Sequence, residues 1–130
     1  MAKRFGISRD EKLKSRRAID ALFAAKKRFS VYPLQVWYAS RAGDAGVRIG
    51  VTCSKRHFRR AVDRNRVKRL LREAYRLQKH VLTDVLPEGR EVHLFFVFLD
   101  KSLPTFILIS EAMGACLQTL QKRIAHEPVA

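Results

Sequence analysis

A chain of 130 residues fits one domain that can bury a core without disulfides or metal, and an apolar fraction of 47% excludes an intrinsically disordered chain. A formal net charge of +15 predicts a polyanionic partner, nucleic acid before an anionic membrane, and no uncharged stretch approaches the roughly 18–20 residues of a membrane span. The excess is concentrated: Lys3–Arg28 holds ten basic and three acidic residues, Lys55–Arg76 holds ten and two, and the rest of the chain is neutral overall, an asymmetry that charge for solubility alone does not need.

Residues 1–14 are basic with weak apolar periodicity and read as a flexible arm. MAKRFGISRDEK has a positive start but no apolar run, so it does not read as a signal peptide. Ser15 can cap a helix running to about Lys26, in which Ile19, Leu22 and Phe23 share one stripe. VYPLQVWYA (31–39) reads as a strand, with Pro33 placing its early part at an edge or bulge. Tyr32, Leu34, Val36 and Tyr38 then face the core, and Val31, Pro33, Gln35 and Trp37 the opposite side. RAGDAG is a turn-rich loop, and VRIGVTC is a second strand with Val47, Ile49, Val51 and Cys53 on one face.

After the second basic segment, EVHLFFVFLD has the continuous apolar run of a buried central strand. Pro104 breaks the chain. TFILISEAMGACLQTLQKRI is a closing helix with Ile109, Ala112, Met113, Cys116, Leu117 and Leu120 at helical spacing, and 127–130 is a tail. The order is α-β-β-α-β-α. It implies an α+β fold, a single small domain over 15–126 with helices packed on a small mixed sheet. Cys53 and Cys116 form no CxxC pair and lie at no zinc-finger spacing from a histidine, so they read as reduced thiols in a cytoplasmic protein.

The stretch AVDRNRVKRLLREAYR is where the charge takes a shape. At about 100° per residue, Leu70, Leu71, Ala74 and Gln78 fall within about 60° of Val67, while Asn65, Lys68, Arg69, Arg72 and Arg76 lie about 100–200° away. Arg64 and Arg66 flank the apolar stripe. An ordinary charge run is a solvated face laced with i, i+4 pairs, but here only Glu73 offers local compensation. Guanidinium forks suit phosphate oxygens, and an asparagine can reach a ribose hydroxyl or a base edge.

A stand-alone nuclease is disfavoured. His57, His80, His93 and His126 are scattered, and no carboxylate pair of the kind that holds catalytic metal ions is visible. His57 reads as one more surface contact. A DNA-reading helix is disfavoured too, because the outward face lacks base-reading variety. A ribosomal or general RNA-binding module fits the charge alone.

The residues SKR and AVDRNRVKRLLREAYR together resemble the arginine-rich R-N-R signature of the protein subunit of bacterial ribonuclease P. LKSRRAIDALF resembles the first helix of that family and VRIGVTCSKR its second strand. The chain departs from the pattern in HFRRAVD, which has no Gly and one extra residue, and at Ile19, where the family often has Phe. The resemblance implies a further short strand and a left-handed β-α-β crossover around the basic helix. It also implies a holoenzyme subunit of the endoribonuclease that removes the 5′ leader from precursor tRNA. The chemistry would be carried by the RNA subunit, with Mg2+ bound mainly there and no catalytic or metal-binding residue in the protein. Lys55, Arg56, Arg64, Asn65, Arg66, Lys68, Arg69, Arg72 and Arg76 would hold the catalytic RNA. Ile19, Phe23, Gln35 and Trp37 would line a leader-binding cleft between the first helix and the sheet. The implied partners are the catalytic RNA and precursor tRNA, with no membrane and no obligate protein partner.

Overall fold

Alternating strands and two long amphipathic helices supply the apolar surfaces that close on one another in a computed structural model of the chain. The structure describes residues 16–43, 46–84, 86 and 89–126; the expected arm at 1–14, the Ser15 cap and the tail at 127–130 lie outside them. The elements are α1 (Arg16–Ala24), β1 (Arg28–Val31), β2 (Leu34–Ala42), β3 (Val47–Cys53), α2 (Ala61–Gln78), α3 (His80–Thr83), β4 (Arg90–Phe98) and α4 (Phe106–His126).

The strand order is β1-β2-β4-β3. β2 is antiparallel to both β1 and β4, while β3 runs parallel to β4, so the sheet is mixed and α2 sits in the crossover between two adjacent parallel strands. β4 is central, as its apolar run predicts: Val92, Leu94 and Phe96 are fully buried. They meet Leu34, Val36, Val47 and Ile49 of the flanking strands. Over this face lie Val67, Leu71, Ala74 and Tyr75 of α2 and Ile109, Met113, Cys116, Leu117 and Leu120 of α4. Gln78 Nε2 donates to the Ser110 carbonyl at 3.0 Å where α2 and α4 cross, and a Cβ at Gly114 would sit 2.8 Å from Gln78 Oε1. A side chain at 114 would therefore press into the hydrogen-bonded amide.

The other face of the sheet carries Gln35 and Trp37 of β2 and Phe95 of β4, and α1 packs there through Phe23. α1 ends where Lys26 takes the left-handed conformation, φ +58°, which turns the chain into β1.

Two elements go beyond the α-β-β-α-β-α order read from the residues: the single helical turn α3, and β1, the further short strand that the resemblance implies. VYPLQVWYA is not one strand. The chain reverses at Tyr32–Pro33, and Val31 pairs with Leu34. Pro33 has no N–H to give to a ladder and its fixed φ suits a turn. The reversal corrects the assigned faces. Tyr32, expected in the core, is 67% exposed at the turn, while Val31 packs against the core and Pro33 is buried. Gln35 and Trp37 keep the second face.

Candidate nucleic-acid interface

The loop leading into α2 lacks the expected glycine and is held in two other ways. The Ser54 carbonyl accepts the Phe58 N–H at 3.0 Å and Ser54 Oγ accepts the Arg56 N–H at 3.1 Å, which forms a turn that exposes Lys55, Arg56 and His57. Phe58 is buried with its ring 6.0 Å from that of Phe98. Arg64 Nη1 then reaches back and donates to the carbonyls of Phe58 and Arg59, both at 2.8 Å. Arg60, at the N-cap, is extended and makes no side-chain cap. Asp63 in the first turn complements the positive end of the helix dipole.

From this start α2 buries Val67, Leu71, Ala74 and Tyr75 and turns the rest of its surface outward. Asn65, Arg66, Arg69 and Arg72 are exposed and border an open concavity of about 490 Å³. None of these three arginines has an ion-pair partner among the described residues. Val62 and Asp63 of α2 and Leu103 of the β4–α4 connection complete the rim.

The remaining predicted cations are placed differently. Arg64 is half-buried and tied to backbone. Lys68 is half-buried on the same side, and both charges act on the Cys53 thiol, whose burial nevertheless pushes its pKa up. Arg76 is paired: its Nε donates to Glu73 Oε2 at 3.1 Å and its Nη2 meets Oε1. That hydrogen bond holds the Glu73 carboxyl below the usual carboxylate range and raises Arg76. The strongest uncompensated field on α2 therefore comes from Arg66, Arg69 and Arg72.

On the second face of the sheet three of the four residues of the expected cleft, Phe23, Gln35 and Trp37, meet in one aromatic cluster. Phe23 meets Trp37 edge-on, with centroids 4.8 Å apart at 78°, and meets Phe95 at 5.3 Å and 76°. Trp37 Nε1 donates to Gln35 Oε1 at 3.1 Å, and the Arg28 guanidinium lies 4.9 Å from the Trp37 ring centre. Ile19 is half-buried one helical turn before Phe23. Phe23 and Trp37 are also half-buried and stand apart from the main core. Phe95 and Arg28 belong to this cluster but are absent from the sequence-based set. Phe95 is hidden in a run where every neighbour is apolar. Arg28 could have been found by pairing it across a β1–β2 hairpin with Trp37.

Among the described residues no group of three or more His, Cys, Asp or Glu is placed to hold a metal ion, and no helix is long and apolar enough to cross a membrane.

The family description Ribonuclease P matches residues 7–121. The chain belongs to the ribonuclease P protein family. It is 46% identical over 117 residues to the ribonuclease P protein component of Porphyromonas gingivalis, covering 87% of this chain and 85% of that protein. The ribonuclease P protein component of Chlorobium phaeobacteroides is 30% identical over 128 residues, covering 88% of each. In fold, the chain resembles the ribonuclease P protein of Thermotoga maritima, with a TM-score of 0.63 at 23% identity over 84% of this chain and 96% of that one. The Staphylococcus aureus ribonuclease P protein gives 0.61 at 16% identity over 85% and 95%. The α+β fold with a four-stranded mixed sheet is that of the ribonuclease P proteins.

Proposed function

We propose that this chain is the protein subunit of a ribonuclease P ribonucleoprotein, that the outward face of α2 holds the catalytic RNA, and that the cleft between α1 and the sheet holds the 5′ leader of precursor tRNA. The observation that carries the reading is the outward side of α2, where Arg66, Arg69 and Arg72 stand exposed and unpaired among the described residues beside a concavity. Such a row raises the folding free energy by self-repulsion unless a polyanion neutralises it, and each phosphate neutralised releases counterions. Lys55 and Arg56 extend the surface along the lead-in turn, Asn65 adds a polar contact, and Arg64, Lys68 and Arg76 contribute charge at its margins.

The second face suits a single strand. Half-buried Phe23, Trp37 and Phe95 offer ring surface, and Arg28 beside Trp37 adds positive charge. Bases stack on such aromatics with little regard to sequence, at about 1–3 kcal/mol each. Gln35, fixed by the Trp37 indole, keeps its amide N–H groups for hydrogen bonding.

In this reading the ribonucleoprotein hydrolyses one phosphodiester bond to free the mature 5′ end. The protein neutralises and positions RNA and supplies no catalytic group. The charge stabilisation that metal ions give to phosphoryl chemistry comes from Mg2+ bound mainly on the RNA subunit. The exposed arginines of α2 offer cations to phosphate. Reconstitution tests it. Adding the protein to a bacterial ribonuclease P RNA at low Mg2+ restores cleavage of precursor tRNA at the 5′ end; no gain over RNA alone contradicts the reading.

A further inference from the structure

We propose that the concavity beside α2 seats one unstacked guanine nucleotide of the partner RNA. The base lies against Val62 and Leu103, the flanking phosphates meet Arg66, Arg69 and Arg72, and the Asp63 carboxylate accepts the N–H donors of the Watson–Crick edge. The inference rests on the ribonucleoprotein reading above and names what that surface reads.

Three observations point this way. The first is size. A volume of about 490 Å³ lies in the range of roughly 300–1,000 Å³ that small-molecule sites occupy, and it suits a single nucleotide better than a duplex. Its walls come from two parts of the chain, since Leu103 stands on the connection between β4 and α4 while the other lining residues belong to α2.

The second is exposed apolar surface in the most basic part of the molecule. Val62 is 59% exposed and Leu103 49%. Phosphates gain nothing from aliphatic carbon. The face of an unstacked base does, and RNA read by sequence is read mainly through such splayed bases.

The third is Asp63. A carboxylate among three uncompensated arginines opposes phosphate binding, and it has no ion-pair or hydrogen-bond partner for its side chain among the described residues. An ionised carboxylate only accepts hydrogen bonds, and its two oxygens take adjacent donors side by side. Guanine alone among the four bases presents two adjacent donors, N1–H and N2–H, on its Watson–Crick edge. Adenine and cytosine set one amino group beside an acceptor, and uracil sets one N–H between two. Asn65 stands by for the ribose hydroxyl, which can donate or accept.

Helix-dipole compensation alone would also explain an aspartate in the first turn, and the sign of a substitution separates the two roles. Affinity for a bacterial ribonuclease P RNA is measured by filter binding at fixed salt, with circular dichroism to show that each variant is folded. Asp63→Asn removes a negative charge, so a face that only meets phosphate binds RNA more tightly. A guanine seat instead binds it roughly fivefold more weakly, and Leu103→Ala does the same. Labelled UUGUU binds the wild type roughly fivefold better than UUIUU, whose inosine lacks the N2 amino group, and Asp63→Asn loses that preference. Tighter or unchanged binding by Asp63→Asn, wild-type binding by Leu103→Ala, or equal binding of the two oligonucleotides each overturns the guanine seat. If the seat fails while Arg69→Ala/Arg72→Ala still weakens RNA binding, the ribonucleoprotein reading survives; if that double variant binds as the wild type does, the reading of the α2 face fails with it.

Discussion

Arg64 Nη1 donates to the carbonyl oxygen of Phe58 at 2.8 Å, so the first arginine of α2 braces the loop that delivers the chain to the helix. Phe58 is itself buried against Phe98. The arginine, the loop backbone and the core thus form one mechanical unit, and the basic helix is aimed by a residue of its own basic run.

Arg64→Ala is expected to destabilise the fold by about 1 kcal/mol, the net worth of a charged hydrogen bond discounted for its partial exposure. Phe58→Ala leaves a cavity under the same loop and is expected to cost about 3–5 kcal/mol. Urea unfolding of both variants checks this. Wild-type stability for Arg64→Ala would return that residue to the free cations of the helix face.

Trp37→Ala is expected to weaken binding of precursor tRNA by the reconstituted holoenzyme roughly 5- to 100-fold while leaving mature tRNA unchanged, since the ring faces the proposed leader cleft and stands apart from the main core. Trp37 is the only tryptophan, so its fluorescence reports on the cleft alone. A short leader oligonucleotide should quench it. Equal weakening for both tRNA forms, or an indole blind to the leader, would make Trp37 a packing residue.

Cys116 titrates far from the usual thiol value of 9.0, pushed up to about 12 by burial within α4. The native state keeps the thiol protonated where the unfolded chain has ionised. This contribution to stability is complete below pH of about 9 and is lost as pH rises toward about 12, with a slope of about 1.4 kcal/mol per pH unit. Unfolding free energies measured from pH 8 to 11 (roughly the span where this thiol matters) should fall more steeply for the wild type than for Cys116→Ala. Parallel profiles for the two would show that the thiol is not protected.

The sequence made α2 legible because its apolar residues 67, 71 and 74 recur at helical spacing against a charged background, and that same spacing assigns Arg69 and Arg72 to the outward side. β4 was legible from its apolar run. The β1–β2 hairpin was not: β1 is only four residues, RFSV, and only Tyr32 and Pro33 separate it from its partner strand, so alternation read straight through the turn puts Tyr32 on the wrong side. Arg64 shows the other limit. Its wheel position is that of a flanking surface cation, and only the path of the 58–59 backbone reveals what its guanidinium binds. The pairing of Arg76 with Glu73 sits between the two cases, since the i, i+3 spacing is visible in the sequence but the choice among neighbouring arginines is not.

The central claim is that the exposed, unpaired arginines of α2 bind the phosphates of a structured RNA. The most direct measurement is the salt dependence of affinity for a bacterial ribonuclease P RNA, compared between the wild type and Arg69→Ala/Arg72→Ala. If each arginine neutralises one phosphate, the double variant is still folded, binds more weakly, and has a slope of log K against log salt shallower by roughly 1.4–1.8. A double variant with wild-type affinity and an unchanged slope would contradict the claim.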